Sequence, residues 1–162
     1  MGAWVRSGGA VTNVVPSPRK GTLAPLKIKP LVVDAKFVRA QLAVPRVAIV
    51  DGRAAAFYDG VDTGGSMGEM HKTGHIPSAR SIPFTSITDD DVMLKSPAAL
   101  QELFTNAGVK PGDTVLGYCH IGQQTTAMLF AARTLRYPVL LYDGSMQDWS
   151  RHADSPVENP AK

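Results

Sequence analysis

The feature that most constrains this chain is an alternation of two hydrophobic periods. Short apolar, β-branched runs at Val47–Val50, Thr114–Tyr118 and Val139–Tyr142 are each followed by a stretch with helical spacing. Strands separated by helices must cross over before they pair. Such crossovers give a parallel sheet with helices on both faces. The fold class is therefore α/β, one domain over residues 31–158 behind an irregular, basic, proline-containing tail over residues 1–30.

The other elements obey the same alternation. Asp34 is placed to cap a helix over Ala35–Leu42, Ala54–Tyr58 is a short helix, and Ala79–Ile82 a short strand. Asp59 to Gly74 is rich in glycine and charge, which marks a surface loop. Ser96-Pro97 opens a helix that puts Leu100, Leu103, Phe104 and Ala107 on one face and is closed by Gly108. Ser145 is expected to cap a last short helix.

Charge is unevenly spread. Residues 1–33 carry five basic side chains and no acid, whereas the remainder carries 12 basic against 14 acidic side chains. The excess of +3 thus belongs to the tail, and the domain offers no basic stripe for nucleic acid. No apolar run approaches the roughly 18 residues of a membrane span. A single cysteine excludes an internal disulfide, and no secretory h-region is visible. A cytoplasmic protein is expected. A mitochondrial one is the alternative, because the tail has arginines and lacks acids, although Pro16, Pro18, Pro25 and Pro30 oppose a transit peptide.

One position in the alternation carries reactive chemistry. Cys119 ends the Thr114–Tyr118 strand and precedes a helix beginning at Thr125, whose Met128, Ala131, Ala132 and Leu135 share one face. A thiol there sits near a helix N-terminus, where unpaired N–H groups and the macrodipole favour an anion and hence the nucleophilic thiolate. Gly122 allows the left-handed turn that joins strand to helix. In mid-strand or mid-helix a lone cysteine would be a small buried hydrophobe. Ligands of parallel sheets bind beyond the carboxyl ends of strands, so Cys119 and Arg53, both at such ends, share one pocket.

The Cys119 loop resembles the active-site loop of the rhodanese (sulfurtransferase) family, and three further segments in the same order carry the likeness. Val47-Ala48-Ile49-Val50-Asp51-Gly52-Arg53 is similar to the first core strand with its Asp-x-Arg ending. Gly74-His75-Ile76-Pro77-Ser78-Ala79 is similar to the Gly-His-Ile-Pro-Gly-Ala signature, with Ser78 replacing the second glycine. Val139-Leu140-Leu141-Tyr142-Asp143-Gly144-Ser145, followed by Trp149, resembles the closing strand and its turn.

This resemblance implies a sulfurtransferase that needs no metal or organic cofactor. Cys119 would take the sulfane sulfur of thiosulfate or a related donor and hand it, from a persulfide, to cyanide or a thiol. Backbone N–H groups of His120, Ile121, Gly122, Gln123, Gln124 and Thr125 would ring the persulfide anion. Arg53 matches the family's arginine for the anionic end of the donor; the alternative for it is an ion pair with an aspartate. Asp51 is expected to bond backbone at the strand end, His75 to anchor the turn before Pro77, and Trp149 to be core or pocket wall. Partners are a small-molecule donor and acceptor, with a second rhodanese domain or a thiol protein as further candidates.

Thiosulfate-specific rhodaneses often place Arg and Lys after the cysteine, and mercaptopyruvate-using relatives Gly and Ser. His120 and Ile121 are neither pair, and thiosulfate is preferred because the Gly-Ser loop is absent. A persulfide carrier that serves a partner protein is the second reading. A cysteine phosphatase of the same fold ranks below both, since the sixth residue after Cys119 is Thr125 and not the arginine that phosphoryl transfer needs. Within the tail, Trp4-Val5-Arg6-Ser7-Gly8-Gly9-Ala10-Val11 echoes the stretch from Trp149 to Val157. The echo suggests that residues 1–30 hold the end of a preceding rhodanese domain and a linker.

Overall fold

The computed structural model describes residues 1–25, 27, 29–62 and 72–162. In chain order the elements are α1 (Gly2–Arg6), β1 (Val32–Val33), α2 (Ala35–Ala40), β2 (Val47–Asp51), α3 (Ala55–Tyr58), β3 (Arg80–Ser81), α4 (Pro97–Asn106), β4 (Thr114–Tyr118), α5 (Gln123–Thr134), β5 (Val139–Tyr142) and α6 (Ser145–Arg151), with a 3-10 turn over Phe84–Ile87. The strands form one five-stranded sheet in the order β1-β5-β4-β2-β3. Every neighbouring pair is parallel, as the alternation of periods requires.

Strand residues alternate between two cores, one on each face of the sheet. Ala48, Val50 and Val115 point to one face and pack with Leu100 and Phe104 of α4 and Met128, Leu129, Ala131 and Ala132 of α5. Ile49, Leu116, Tyr118 and Tyr142 point to the other and pack with Val38 of α2 and Met146 and Trp149 of α6. Trp149 is fully buried, and its indole N–H donates to the Pro156 carbonyl at 2.8 Å. Gly117 faces α5, where a Cβ would collide with Thr125, Met128 and Leu129, so a glycine in mid-strand lets the helix seat closely.

The caps follow the local chemistry, with five departures from expectation in the elements. Asp34 accepts the Phe37 N–H at 2.8 Å and Ser96 the Ala99 N–H at 3.3 Å, as their positions predict. Helix α2 stops at Ala40, because Gln41 and Leu42 close a turn onto Val38 and Arg39. Helix α5 starts at Gln123, two residues early, because Gly122 turns at φ 82°. Strand β3 spans two residues, and β1 is a two-residue edge strand too short to show a period. Ser145 is the first residue of α6 rather than its cap, for a reason that lies in the site. Of the expected loop between Asp59 and Gly74, residues 63–71 lie outside the described residues.

The tail is irregular apart from α1 among its described residues. Arg6 pairs with Asp91 at 3.1 Å, with both side chains mostly exposed, so the contact adds little stability.

Candidate active site

Strand order locates the crevice. After β2 the chain moves to β3 on one side, and after β4 to β5 on the other, so the two connections diverge between adjacent strands. A crevice opens where they part, at the carboxyl ends of β2 and β4. The register pairs Asp51 with Tyr118, which brings Gly52 beside Cys119. Gly52 donates its N–H to the Tyr118 carbonyl at 2.8 Å and locks the two strand ends together.

Cys119 is fully buried, and its backbone is fixed from α6. The Cys119 N–H donates to Ser145 Oγ at 3.0 Å, and that hydroxyl donates to the Tyr142 carbonyl at 3.0 Å. Ser145 thereby ties β4 to β5 and holds a left-handed φ of 53°, a conformation that costs a serine about 1–3 kcal/mol. The next two N–H groups of α6, on Met146 and Gln147, donate to the carbonyls of Cys119 and His120, both at 3.1 Å. A trans peptide sets C=O and N–H in opposite directions, so the N–H groups of His120 and Ile121 face away from α6. Gly122 reverses the chain, and Gln123, Gln124 and Thr125 form the first turn of α5, whose N–H groups have no intrahelical acceptor. The loop is therefore a run of backbone donors, the arrangement that holds an anion. Gly122 cannot carry a side chain, because a Cβ would meet Asp143, 2.8 Å from its carbonyl oxygen.

Arg53 and Asp51 form a buried pair. Asp51 accepts the Arg53 backbone N–H at 2.9 Å and also takes Nε at 3.0 Å and Nη2 at 2.6 Å. Nη2 donates to the Gly74 carbonyl at 2.7 Å, and Arg53 is only 3% exposed. Burial opposes the arginine charge, but the Asp51 bonds and charge outweigh it and raise the Arg53 pKa. Nε and Nη2 are turned onto an aspartate and a backbone carbonyl, the ion pair that the sequence offered as the alternative for Arg53, and they fasten the strand end to the Gly74 turn. The guanidinium lies 5.9 Å from the Tyr118 ring centroid. Tyr118 Oη accepts the Ile76 N–H at 3.1 Å, and burial first, then the Asp51 charge, pushes its phenol well above the ordinary range.

His75 is held by contacts from three segments. Its backbone exchanges hydrogen bonds with Glu158, its ring stacks on Tyr58 at 3.7 Å, Nδ1 lies 2.8 Å from the Tyr58 carbonyl, and Nε2 lies 3.3 Å from the Glu158 carboxylate. It joins α3, the Gly74 turn and the C-terminal segment.

His120 meets Phe57 edge-on at 4.5 Å between ring centroids, and Ile121 is 48% exposed. Gln124 Oε1 and Thr125 Oγ1 are buried without a hydrogen-bond partner. Thr125 lies across both Gly52 and Gly117, which wedges α5 against the two site strands. Sequence reasoning missed Ser145 as a brace, Asp143 beside Gly122, and Tyr118 as an acceptor. Each acts through a contact that the Asp143-Gly144-Ser145 turn or the strand register creates only in the fold. Among the described residues, no group of three His, Cys, Asp or Glu could hold a metal ion, and no helix is long and apolar enough to cross a membrane.

Comparison with known proteins agrees with this fold. The Rhodanese-like domain family matches residues 34–152. A thiosulfate sulfurtransferase of Pseudomonas aeruginosa is 27% identical over 157 residues, covering 96% of this chain and 56% of its own. A probable 3-mercaptopyruvate sulfurtransferase of the same organism is 31% identical over 163 residues, covering 97% and 55%. The chain thus spans about half the length of these relatives. Among solved structures, the anaerobic ergothioneine biosynthesis enzyme from Chlorobium limicola, in complex with its natural substrate trimethyl histidine, superimposes with a TM-score of 0.84 over 99% of this chain and 40% of that one, at 21% identity. That likeness concerns the fold.

Proposed function

The chain belongs to the rhodanese-like domain family, and we propose that it is a sulfurtransferase working through a persulfide on Cys119. The observation that carries this reading is the seat of Cys119 at the head of a backbone N–H loop, at the divergence of β2 and β4. The Cys119 thiolate attacks the outer sulfur of thiosulfate; the S–S bond of the donor breaks and sulfite leaves with the electron pair. The enzyme holds Cys–S–S⁻, whose terminal charge the loop N–H groups of residues 120–125 stabilise. Cyanide or a thiolate then attacks the terminal sulfur, takes it as thiocyanate or a new persulfide, and the Cys119 thiolate returns. Two half-reactions on one nucleophile give ping-pong kinetics. Arg53 and Asp51 act as positioning residues, since their contacts set the strand end beside the cysteine. A reducing compartment, the cytoplasm, suits a thiol that must stay free.

A second reading, a carrier that passes persulfide to a partner protein, is favoured by the exposed, uncharged Ile121 at the loop and by the engagement of Arg53 with Asp51. The tail fits a tandem origin. Trp4 follows the pattern of Trp149, with its indole N–H donating to a carbonyl six residues on, at Ala10, as Trp149 does seven on, at Pro156. Reading the coding DNA around this segment tests it: no rhodanese-like reading frame, intact or decayed, beside residues 1–30 would sink the idea.

The deciding assay offers thiosulfate or 3-mercaptopyruvate with cyanide, follows thiocyanate, and records intact mass. Turnover with a gain of one sulfur, about 32 Da, on Cys119 supports the enzyme. The mass gain without turnover supports the carrier. Neither signal from folded protein with a free thiol rejects both.

A further inference from the structure

We propose that the cavity at the amino ends of β2 and β4 binds a tetrahedral oxyanion of the phosphate or sulfate class, at a place separate from the persulfide loop. Three connections converge there: the turn entering β2, the turn entering β3, and the turn entering β4. They enclose an open cavity of about 340 Å³, within the range of small-ligand sites.

Arg46, Arg80 and Lys110 line this cavity, and Asp113 is the one acid among the lining residues. A local excess of two positive charges thus stands on a domain that carries 12 basic against 14 acidic side chains. Asp113 is buried, and its Oδ2 accepts the Lys110 backbone N–H at 2.9 Å, which assigns the carboxylate to shaping its own turn. Among the described residues, none of the three cations has an acidic side chain within ion-pair distance.

Arg46 is already laid in place. Its backbone is left-handed at φ 67°, and Nη2 donates to the Gly112 carbonyl at 3.2 Å, which drapes the side chain over the turn before β4. Arg80 lies along Gly108, just past the end of α4, with Nε 3.3 Å from where a Cβ would stand. Two guanidinium forks and one ammonium supply the several N–H donors that a tetrahedral oxyanion accepts. Val44 and Pro45 form an apolar wall beside the cations, with space for an organic body attached to the anion.

The two sites lie at opposite ends of the same strands. Val47 pairs with Thr114 at this end and Asp51 with Tyr118 at the other, a separation of roughly 13 Å along the strand. Occupancy here therefore leaves the Cys119 loop untouched.

The test is an NMR titration of the ¹⁵N-labelled full chain with inorganic phosphate and with phenyl phosphate, at ionic strength held constant with chloride. Saturable amide shifts at residues 43–47, 78–80 and 110–113 are expected. Arg46→Gln and Lys110→Gln should each weaken binding about tenfold, with the thermal midpoint and persulfide formation on Cys119 unchanged. Arg80→Lys should keep the fold and lose part of the affinity. Tighter binding of phenyl phosphate identifies an organic phosphate as the ligand class, and equal binding identifies the free ion. Shifts that never saturate, that chloride reproduces, that centre on residues 119–125, or that survive in all three variants overturn the proposal.

Discussion

The two ends of the sheet treat charge in opposite ways. At the carboxyl end, Arg53 and Asp51 cancel each other under cover, and backbone N–H groups are left to meet an anion. At the amino end, three cations face an open cavity with one acid among them. Dipoles fixed by the fold hold an anion in one geometry and add no net charge, which suits the persulfide proposed for Cys119, formed and released in each cycle. Full charges on flexible side chains attract an anion from solution with less control of its orientation. The same two strands thus serve a site built on position and a site built on charge.

The largest expected effect breaks the carboxyl end alone. Cys119→Ser should abolish both thiocyanate formation and the sulfur mass gain, with a melting midpoint close to the parent, because the two side chains are near in size. Retained turnover would remove Cys119 from the reaction.

Arg53→Ala comes next. It strands a buried carboxylate, so a loss of about 3–5 kcal/mol in urea unfolding is expected. If stability held and only the donor KM rose, Arg53 would be a donor ligand after all.

A matched glycine pair sharpens the contrast. Gly122 and Gly112 share φ 82°, so alanine strains each backbone by about 1–2 kcal/mol. At Gly122 the new Cβ also meets the backbone of Asp143, whereas at Gly112 it meets the far end of the Arg46 side chain, which can move. Gly122→Ala should cost about 2–5 kcal/mol and most sulfur transfer; Gly112→Ala should cost less and leave transfer intact. Equal losses in both assays would erase the distinction between the two ends.

The smallest effect concerns pH. Burial raises the phenol of Tyr118, and burial with the Asp148 hydrogen bond raises that of Tyr142, from an ordinary value of 10.0. The unfolded chain therefore releases these protons first. Stability from both groups is complete below pH 10 and falls as pH rises beyond it. Tyr142→Phe should flatten that decline in urea midpoints measured from pH 9 to pH 11, and an unchanged slope would exclude Tyr142 as a source.

The scaffold of the site was legible in the sequence because periodicity and caps are local. Val47–Val50, Thr114–Tyr118, Val139–Tyr142, Asp34 and Ser96 each announce their element within a few residues. The cysteine loop was legible because a strand, a thiol and a glycine precede a helix in one stretch. What stayed hidden depends on distant pairs. Ser145 reaches Cys119 across 26 positions, and Nη2 of Arg53 reaches the Gly74 carbonyl across 21. No local pattern distinguishes a serine that caps its own helix from one that braces another strand. The short β1 likewise exists only because Leu141 and Tyr142 are there to pair with it.

The partnership of Asp51 with Tyr118 also has a consequence in time. Cys119 is seated only when two segments far apart in the chain have met, and such distant pairings are slow to form. During synthesis and early folding the single thiol is therefore open to bulky thiol reagents that, unlike a small sulfur donor, are too large to reach a fully buried residue in the folded protein. The speed with which Cys119 becomes resistant to a bulky thiol reagent is a clock for closure of the central strands, already installed in the chain.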